Sequence, residues 1–317
     1  MIIHVGDLKY EWVENWTKNQ KTDGHSHHGL VVSKSGNIIT AHNSIPEILI
    51  FDQEGNLKKS FLVPVIENHG LSLSEENGVE YLWITDTGSK NFTRPAQVVK
   101  CDLDGNVLLV IRKGDLKLPD TDKFTPTCTA IEPITGNIWI TDGYGSNRIF
   151  CLNPKKEVLF KIDGSEGTAG KFACPHWIYF DTRKKNIELY IADRASNRIQ
   201  IYDTEGKFLR CIDKGLTTPS VFSIFDQYLV VGELKARLVI LDINDKIVGT
   251  IGEALHHVEK EGWPNRVAEP GGRKIAPADI KIGEFNSPHG MSADKNGNIY
   301  VSEWLLGDRF TKLCRIA

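Results

Sequence analysis

The sequence predicts an all-β fold, a six-bladed β-propeller. Three observations carry this: a phrase of short apolar strands recurs roughly every 40 to 50 residues, Gly-Asn and Asp-Gly turns separate the strands, and no stretch carries a helical period. The second strand of each copy reads Asn37-Ile-Ile-Thr-Ala-His42, Tyr81-Leu-Trp-Ile-Thr-Asp86, Asn137-Ile-Trp-Ile-Thr-Asp142, Glu188-Leu-Tyr-Ile-Ala-Asp193, Tyr228-Leu-Val-Val-Gly-Glu233 and Asn298-Ile-Tyr-Val-Ser-Glu303. A third strand follows each, such as Arg148-Ile-Phe-Cys-Leu or Arg198-Ile-Gln-Ile-Tyr, then a turn and a fourth, such as Gly206-Lys-Phe-Leu-Arg-Cys-Ile. The sixth copy stops after its third strand at Thr311-Lys-Leu-Cys-Arg-Ile-Ala317, and the chain begins with Gly6-Asp-Leu-Lys-Tyr-Glu-Trp-Val13, which fits the missing fourth. An N-terminal strand completing the last blade leaves no long sheet edge unpaired, so residues 1–317 are expected to form one domain. The one long irregular stretch, about 254–283, is expected to be a loop inserted between blades five and six, and loops of that length are often functional.

Composition bounds the function. The chain is 40% hydrophobic and 25% charged, with a formal net charge of −3, enough apolar content for a sizeable core. No block of lysine and arginine marks a nucleic-acid or membrane surface, so neither partner is expected. The N-terminus shows no basic stretch leading into an apolar run, and about 18 consecutive apolar residues occur nowhere. Six cysteines stand singly, without paired spacing, which reads as reduced thiols and a cytoplasmic setting.

One repeat position carries chemistry. The residue opening each innermost strand, which in a propeller faces the central channel, is His28, His69, Thr127, His176, Ser220 or His289. A single histidine there is most simply a hydrogen-bonded structural residue. Four at one repeat position point instead to a metal, because neutral imidazoles offer nitrogen lone pairs to zinc or iron.

Specific phrases sharpen this. Asn68-His-Gly-Leu-Ser-Leu, Thr125-Pro-Thr, Asp142-Gly-Tyr-Gly-Ser-Asn-Arg-Ile149, Pro175-His-Trp, Ala192-Asp-Arg-Ala-Ser-Asn-Arg-Ile-Gln200 and Pro288-His-Gly resemble the catalytic core of the peptidyl-α-hydroxyglycine α-amidating lyases, within the wider group of NHL-repeat propellers. The resemblance spans nearly the whole chain. It implies a zinc ion bound by His69, His176 and His289, a catalytic tyrosine at Tyr144, an active-site arginine at Arg194, and cleavage of a carbinolamide into an amide and an aldehyde. Three positions depart from the family. Asn43 stands for a second active-site arginine, Gly290 replaces an acid that helps hold a structural calcium, and His28 replaces a small residue. The Gly290 exchange argues against calcium here, and the departures leave a related small-molecule substrate as open as a peptide.

Blander readings stand beside these. Asp86, Asp142, Asp193, Glu233 and Glu303 recur at one repeat position and are expected to fix turns through backbone hydrogen bonds. Arg148 and Arg198 are expected to pair between blades. Arg194 is either an anion clamp or a salt-bridge partner, Tyr144 either a base or a packing residue, and Trp304 either a pocket wall or core. His25 and His27 read as peripheral, and His256 and His257 as part of a lid. Alternatives for the whole are a four-histidine iron or manganese enzyme that includes His28, with redox or isomerase chemistry, and a non-enzymatic NHL-type platform for a protein partner. The convergence of histidines argues against the platform, and a calcium lactonase would call for carboxylates rather than imidazoles.

Overall fold

The apolar phrases become strands throughout the computed structural model, which describes every residue except 19–23, 25, 27, 90–92, 270–271 and 317; His25 and His27 lie outside the described residues. Six sheets, each of consecutive antiparallel strands, are the six blades of a β-propeller. Blade one comprises Leu30–Val32, Ile38–Ala41, Glu47–Phe51 and Leu57–Leu62, and blade two Asn68–Glu76, Val79–Asp86, Gln97–Cys101 and Val107–Arg112. Blade three comprises Cys128–Ile131, Ile138–Asp142, Arg148–Leu152 and Val158–Ile162, and blade four Pro175–Asp181, Glu188–Asp193, Arg198–Tyr202 and Phe208–Ile212. Blade five comprises Pro219–Phe225, Tyr228–Glu233, Arg237–Leu241 and Ile247–Ile251, and blade six Pro288–Ala293, Ile299–Glu303 and Phe310–Ile316. Among the described residues there is no α-helix, and no helix long and apolar enough to cross a membrane.

Burial explains why the second strands were so readable. Ile138–Asp142 is buried at every position, as is Tyr228–Glu233, so each is a continuous apolar run covered on both faces. The fourth strands alternate instead, as in Val158–Ile162, because one face meets solvent. In blades one and two the turn between third and fourth strands is held by a single carboxylate: Asp52 accepts from the amides of Glu54 and Asn56, and Asp102 from those of Asp104 and Asn106. Gly55 and Gly105 then take φ of +81° and +89°, which only glycine adopts without strain.

The chain forms two compact units, one of Met1–Ile45, Leu49–Ser60 and Ser220–Ala317, the other of Pro46–Ile48 and Phe61–Pro219. In the first, the N-terminal strand pairs as the sequence predicts. Leu8–Glu14 runs antiparallel to Phe310–Ile316, and Arg309 locks the junction through Glu14 at 2.6 Å and through Glu303. Gly6 and Asp7 form a turn rather than strand, and Ile2–Val5 adds an unexpected fifth strand outside Leu8–Glu14. The core here joins Trp16, Tyr300 and Phe310 to Leu30, Ile38 and Phe51. The segment between blades five and six is not bare loop: it carries a short 3-10 turn, Leu255–His257, and a two-stranded hairpin, Arg266–Val267 with Lys274–Ile275. In the second unit, Trp83, Val98 and Ile111 of blade two pack on Ile140, Phe150 and Leu152 of blade three. Each such fully buried aliphatic contributes about 1.5–3 kcal/mol relative to exposure. No cysteine of the chain forms a disulfide, and burial pushes the thiols of Cys101, Cys128 and Cys151 up to about 12.

Candidate functional site

The three histidines named from the motifs share a backbone device. Where the first and second strands of a blade pair, the register slips between Asn68 and Leu71, between Pro175 and Trp177, and between Pro288 and Gly290. His69 together with Gly70, His176 and His289 are the residues left out of the ladder. Such bulges re-aim a side chain. The acid ending each partner strand holds the chain leading into the bulge. Asp86 accepts from the amides of Ile66 and Glu67, Asp193 from that of Ala173, and Glu303 from those of Asn286 and Ser287. Asp86, Asp193 and Glu303 thus fix backbone as expected, and what they fix is the approach to the histidines; Glu233 pairs instead with Arg237.

Within the second unit the geometry is close. A Cβ at Gly70 would lie 2.4 Å from the carbonyl oxygen of Thr127, so glycine lets blade three approach, and His69 Nδ1 then donates to that carbonyl at 2.7 Å. The bond fixes the tautomer. With its proton on Nδ1, His69 presents the lone pair of Nε2, the arrangement expected of an imidazole ligand oriented by a backbone carbonyl. His69 and His176 are fully buried, with ring centroids 4.9 Å apart.

Tyr144 reaches both. It stands in the turn after Ile138–Asp142, which Asp142 clamps through the amides of Thr125 and Ser146. Its hydroxyl lies 3.2 Å from His69 Nε2 and 3.0 Å from His176 Nε2. Tyr144 is 39% exposed. Arg194, on the 3-10 turn Arg194–Ser196, donates from Nη1 to the Tyr144 hydroxyl at 3.2 Å and from Nη2 to Cys174 Sγ at 3.4 Å. Burial raises the Tyr144 pKa, and the Arg194 guanidinium pulls against that rise. Burial opposes the charge on Arg194, but Tyr144 and Cys174 beside it more than offset this and its pKa moves up. Among the described residues Arg194 meets no carboxylate, so the salt-bridge reading finds no partner.

His69 and His176, both buried in the second unit, turn their Nε2 atoms to the same Tyr144 hydroxyl, a pair of donors that could hold a metal ion; His289 is likewise buried behind its bulge in the first unit. Their donors, imidazole nitrogens with one tautomer fixed by a carbonyl, fit zinc and also suit iron(II) or manganese(II) less selectively. His28, in the first unit, is buried ahead of Leu30–Val32, and its backbone carbonyl accepts from Ser302 Oγ at 3.1 Å. Asn43 donates to Asp308 at 2.6 Å. Arg148 pairs with Asp122 of the connection into its own blade, and Arg198 with Asp193 and the carbonyls of Gly170 and Lys171, so neither bridges from one blade's strands to another's. Trp304 packs edge-on to Trp263, centroids 6.2 Å apart. Thr127, read from the sequence only as a channel-facing position, orients His69 through its carbonyl; Cys174, held at φ +69° before Pro175, is the member of the site that the sequence reading assigns no role.

No family profile matches the chain. The human protein named NHL repeat-containing protein 3 is 27% identical over 275 residues, covering 82% of this chain and 71% of that one. A Caenorhabditis elegans protein named "Probable peptidyl-alpha-hydroxyglycine alpha-amidating lyase" is 25% identical over 203 residues, covering 55% of this chain and 54% of its own. Among solved structures, a streptogramin B lyase superposes with a TM-score of 0.61 at 17% identity, over 99% of this chain and 100% of that one. The NHL-repeat resemblance thus extends over 82% of the chain and the amidating-lyase resemblance over 55% of it, and the solved structure agrees in fold.

Proposed function

We propose that this chain is a metal-dependent lyase that breaks the C–N bond of a carbinolamide or a related small hydroxylated substrate. The observation that carries the reading is the Tyr144 hydroxyl, held between two imidazole nitrogens and a guanidinium. His69, His176 and His289 would hold the ion, zinc by donor set, and a bound zinc supplies a Lewis acid that lowers the pKa of a substrate hydroxyl.

The chain's own residues do the rest. The Arg194 guanidinium, pulling against the burial that raises the Tyr144 pKa, would stabilise the tyrosinate that takes the proton of the substrate hydroxyl. As the C–O bond becomes a carbonyl, the C–N bond breaks with its electron pair going to nitrogen. Tyr144 then returns the proton to that nitrogen, so an aldehyde and an amide leave and the phenolate is restored. Two of the Arg194 donors are engaged by Tyr144 and Cys174, and the remaining donors are placed to bind a carboxylate of the substrate. The bulges and the acids behind them would hold the histidines in the geometry that the reaction needs.

Incubation of the zinc-loaded protein with a peptide ending in α-hydroxyglycine tests the reading, with glyoxylate and peptide amide followed separately. Both products should appear in equal amounts and disappear in a His176→Ala variant. Glyoxylate release no faster than in buffer, from this substrate and from smaller N-acyl carbinolamides, would refute it.

A further inference from the structure

The segment between blades five and six holds a second group of metal-ligating side chains, formed by His256, His257 and Glu284. None of them takes part in the chemistry above. We propose that these three residues form a separate binding site for zinc or a similar divalent transition metal, and that the ion fastens the 3-10 turn of this insert to the segment leading into the strand of His289.

The distances suit one ion. Glu284 Oε2 lies 3.1 Å from His257 Nε2 and 4.0 Å from His256 Nε2, whereas bonds of about 2.0–2.2 Å around a tetrahedral zinc place its ligand atoms roughly 3.3–3.5 Å apart. A shift of a few tenths of an ångström in the exposed His256 side chain closes the set. Two nitrogens and one carboxylate oxygen, with the fourth position left to water, is a familiar zinc donor set. The two rings already stack obliquely, centroids 4.2 Å apart.

The surroundings also suit a ligand. His257 is buried, and its Nδ1 accepts from the Lys260 ammonium at 2.9 Å. Its single proton therefore sits on Nε2, donated to Glu284. Metal binding sends that proton to solvent and leaves the Lys260 bond intact, with Asp279, 2.7 Å from Lys260, balancing the ammonium charge. An ammonium behind a ligand is a weaker support than a carboxylate, so this site is expected to bind less tightly than the one proposed for His69, His176 and His289.

Consequences follow from the position of Glu284. Its carbonyl accepts from Arg309 at 2.8 Å, and the next residue, Phe285, donates to the carbonyl of Gly252 at 2.8 Å. The amides of Asn286 and Ser287 are held by Glu303, and two residues later stands His289. An ion on Glu284 thus tethers the insert at the root of the segment that delivers His289.

The test uses the full chain stripped with a chelator and titrated with zinc alone. Wild type should bind a stronger and a weaker equivalent. His256→Ala, at an exposed position, and Glu284→Gln should each lose the weaker one or weaken it by at least about tenfold, while His176→Ala retains it. Limited proteolysis of the insert gives a second measure: zinc should protect wild type and His176→Ala but not His256→Ala. Loss of the stronger equivalent alone in every variant, or zinc stoichiometry and protection in His256→Ala and Glu284→Gln equal to wild type, overturns the proposal. Absence of the stronger equivalent in wild type would instead count against the lyase reading and leave this site standing.

Discussion

The hydroxyl of Tyr144 lies 3.0 Å from Nε2 of His176, and Arg194 donates to the same oxygen at 3.2 Å. One phenolic proton cannot satisfy every acceptor around it. The hydroxyl can donate to only one imidazole while accepting from the guanidinium, so removing the oxygen should disturb proton transfer far more than packing.

Tyr144→Phe is accordingly expected to keep the melting temperature and the zinc content while losing activity by a factor on the order of 10² or more, the usual contribution of a general base. Arg194→Ala should chiefly raise KM if the guanidinium binds substrate carboxylate, with a further fall in kcat from the loss of tyrosinate support. Steady-state kinetics on metal-loaded protein separates the two. Full turnover by Tyr144→Phe would reduce the tyrosine to a wall of the site.

The strand Leu8–Glu14 covers the outer edge of Phe310–Ile316 over six residue pairs, Lys9 with Ile316 through Glu14 with Thr311. We propose that the whole chain melts as one domain, and a single calorimetric transition with matching van't Hoff and calorimetric enthalpies is the expected observation. Deleting residues 1–14 should lower the transition and promote aggregation, because Phe310–Ile316 becomes an unpaired edge and Arg309 loses Glu14. Two resolved transitions in the intact chain would contradict the single-domain expectation.

Much of this was legible in the sequence for a physical reason. Strands buried on both faces read as unbroken apolar runs, so Glu188–Asp193 and Tyr228–Glu233 coincide with their phrases residue for residue. Tyr144 and Arg194 were named through their motifs, and the structure brings them together. The bulges at His69, His176 and His289 were not legible, because a register slip belongs to a pair of strands and leaves no mark on either alone. Ile2–Val5 was missed because the repeat supplies four strands and no template for a fifth. Cys174 takes a left-handed conformation at φ +69° without being glycine or asparagine, so nothing in its identity announced a turn that brings its sulfur to Arg194.

Acid stability should show one identifiable contribution. The Arg210 guanidinium, gripping both oxygens of Glu188 at 2.7 and 2.6 Å with Lys184 nearby, lowers that carboxyl to about 2. A depressed folded-state pKa stabilises the fold above the ordinary glutamate value of roughly 4.3, and the contribution is lost as pH falls through about 2. Arg210→Ala should therefore reduce the melting temperature near neutral pH by a small amount, since the pair is partly exposed. The difference from wild type should shrink steadily below pH 4. A constant difference down to pH 2 would mean that Arg210 acts through packing on Tyr190 rather than through charge.

Gly290 and His28 form the last testable relationship. Where the amidating lyases carry an acid, this chain has glycine, and a Cβ there would lie 2.1 Å from the backbone oxygen of His28 and 2.4 Å from Ser302 Oγ. The backbone of the first blade occupies the space a side chain would need. Restoring the acid by Gly290→Asp should therefore not create a calcium site. It should destabilise the protein by about 2–3 kcal/mol, as overpacking against main chain does, with no recovery on adding calcium. His28→Ala separates the remaining possibilities for the imidazole. If the ring serves as an acid–base group, the variant should retain zinc while kcat falls with altered pH dependence, and if it only fills space, the melting temperature alone should move. Loss of zinc from His28→Ala would make it a fourth ligand, and calcium-dependent stabilisation of Gly290→Asp would show that the His28 backbone can yield the space it holds.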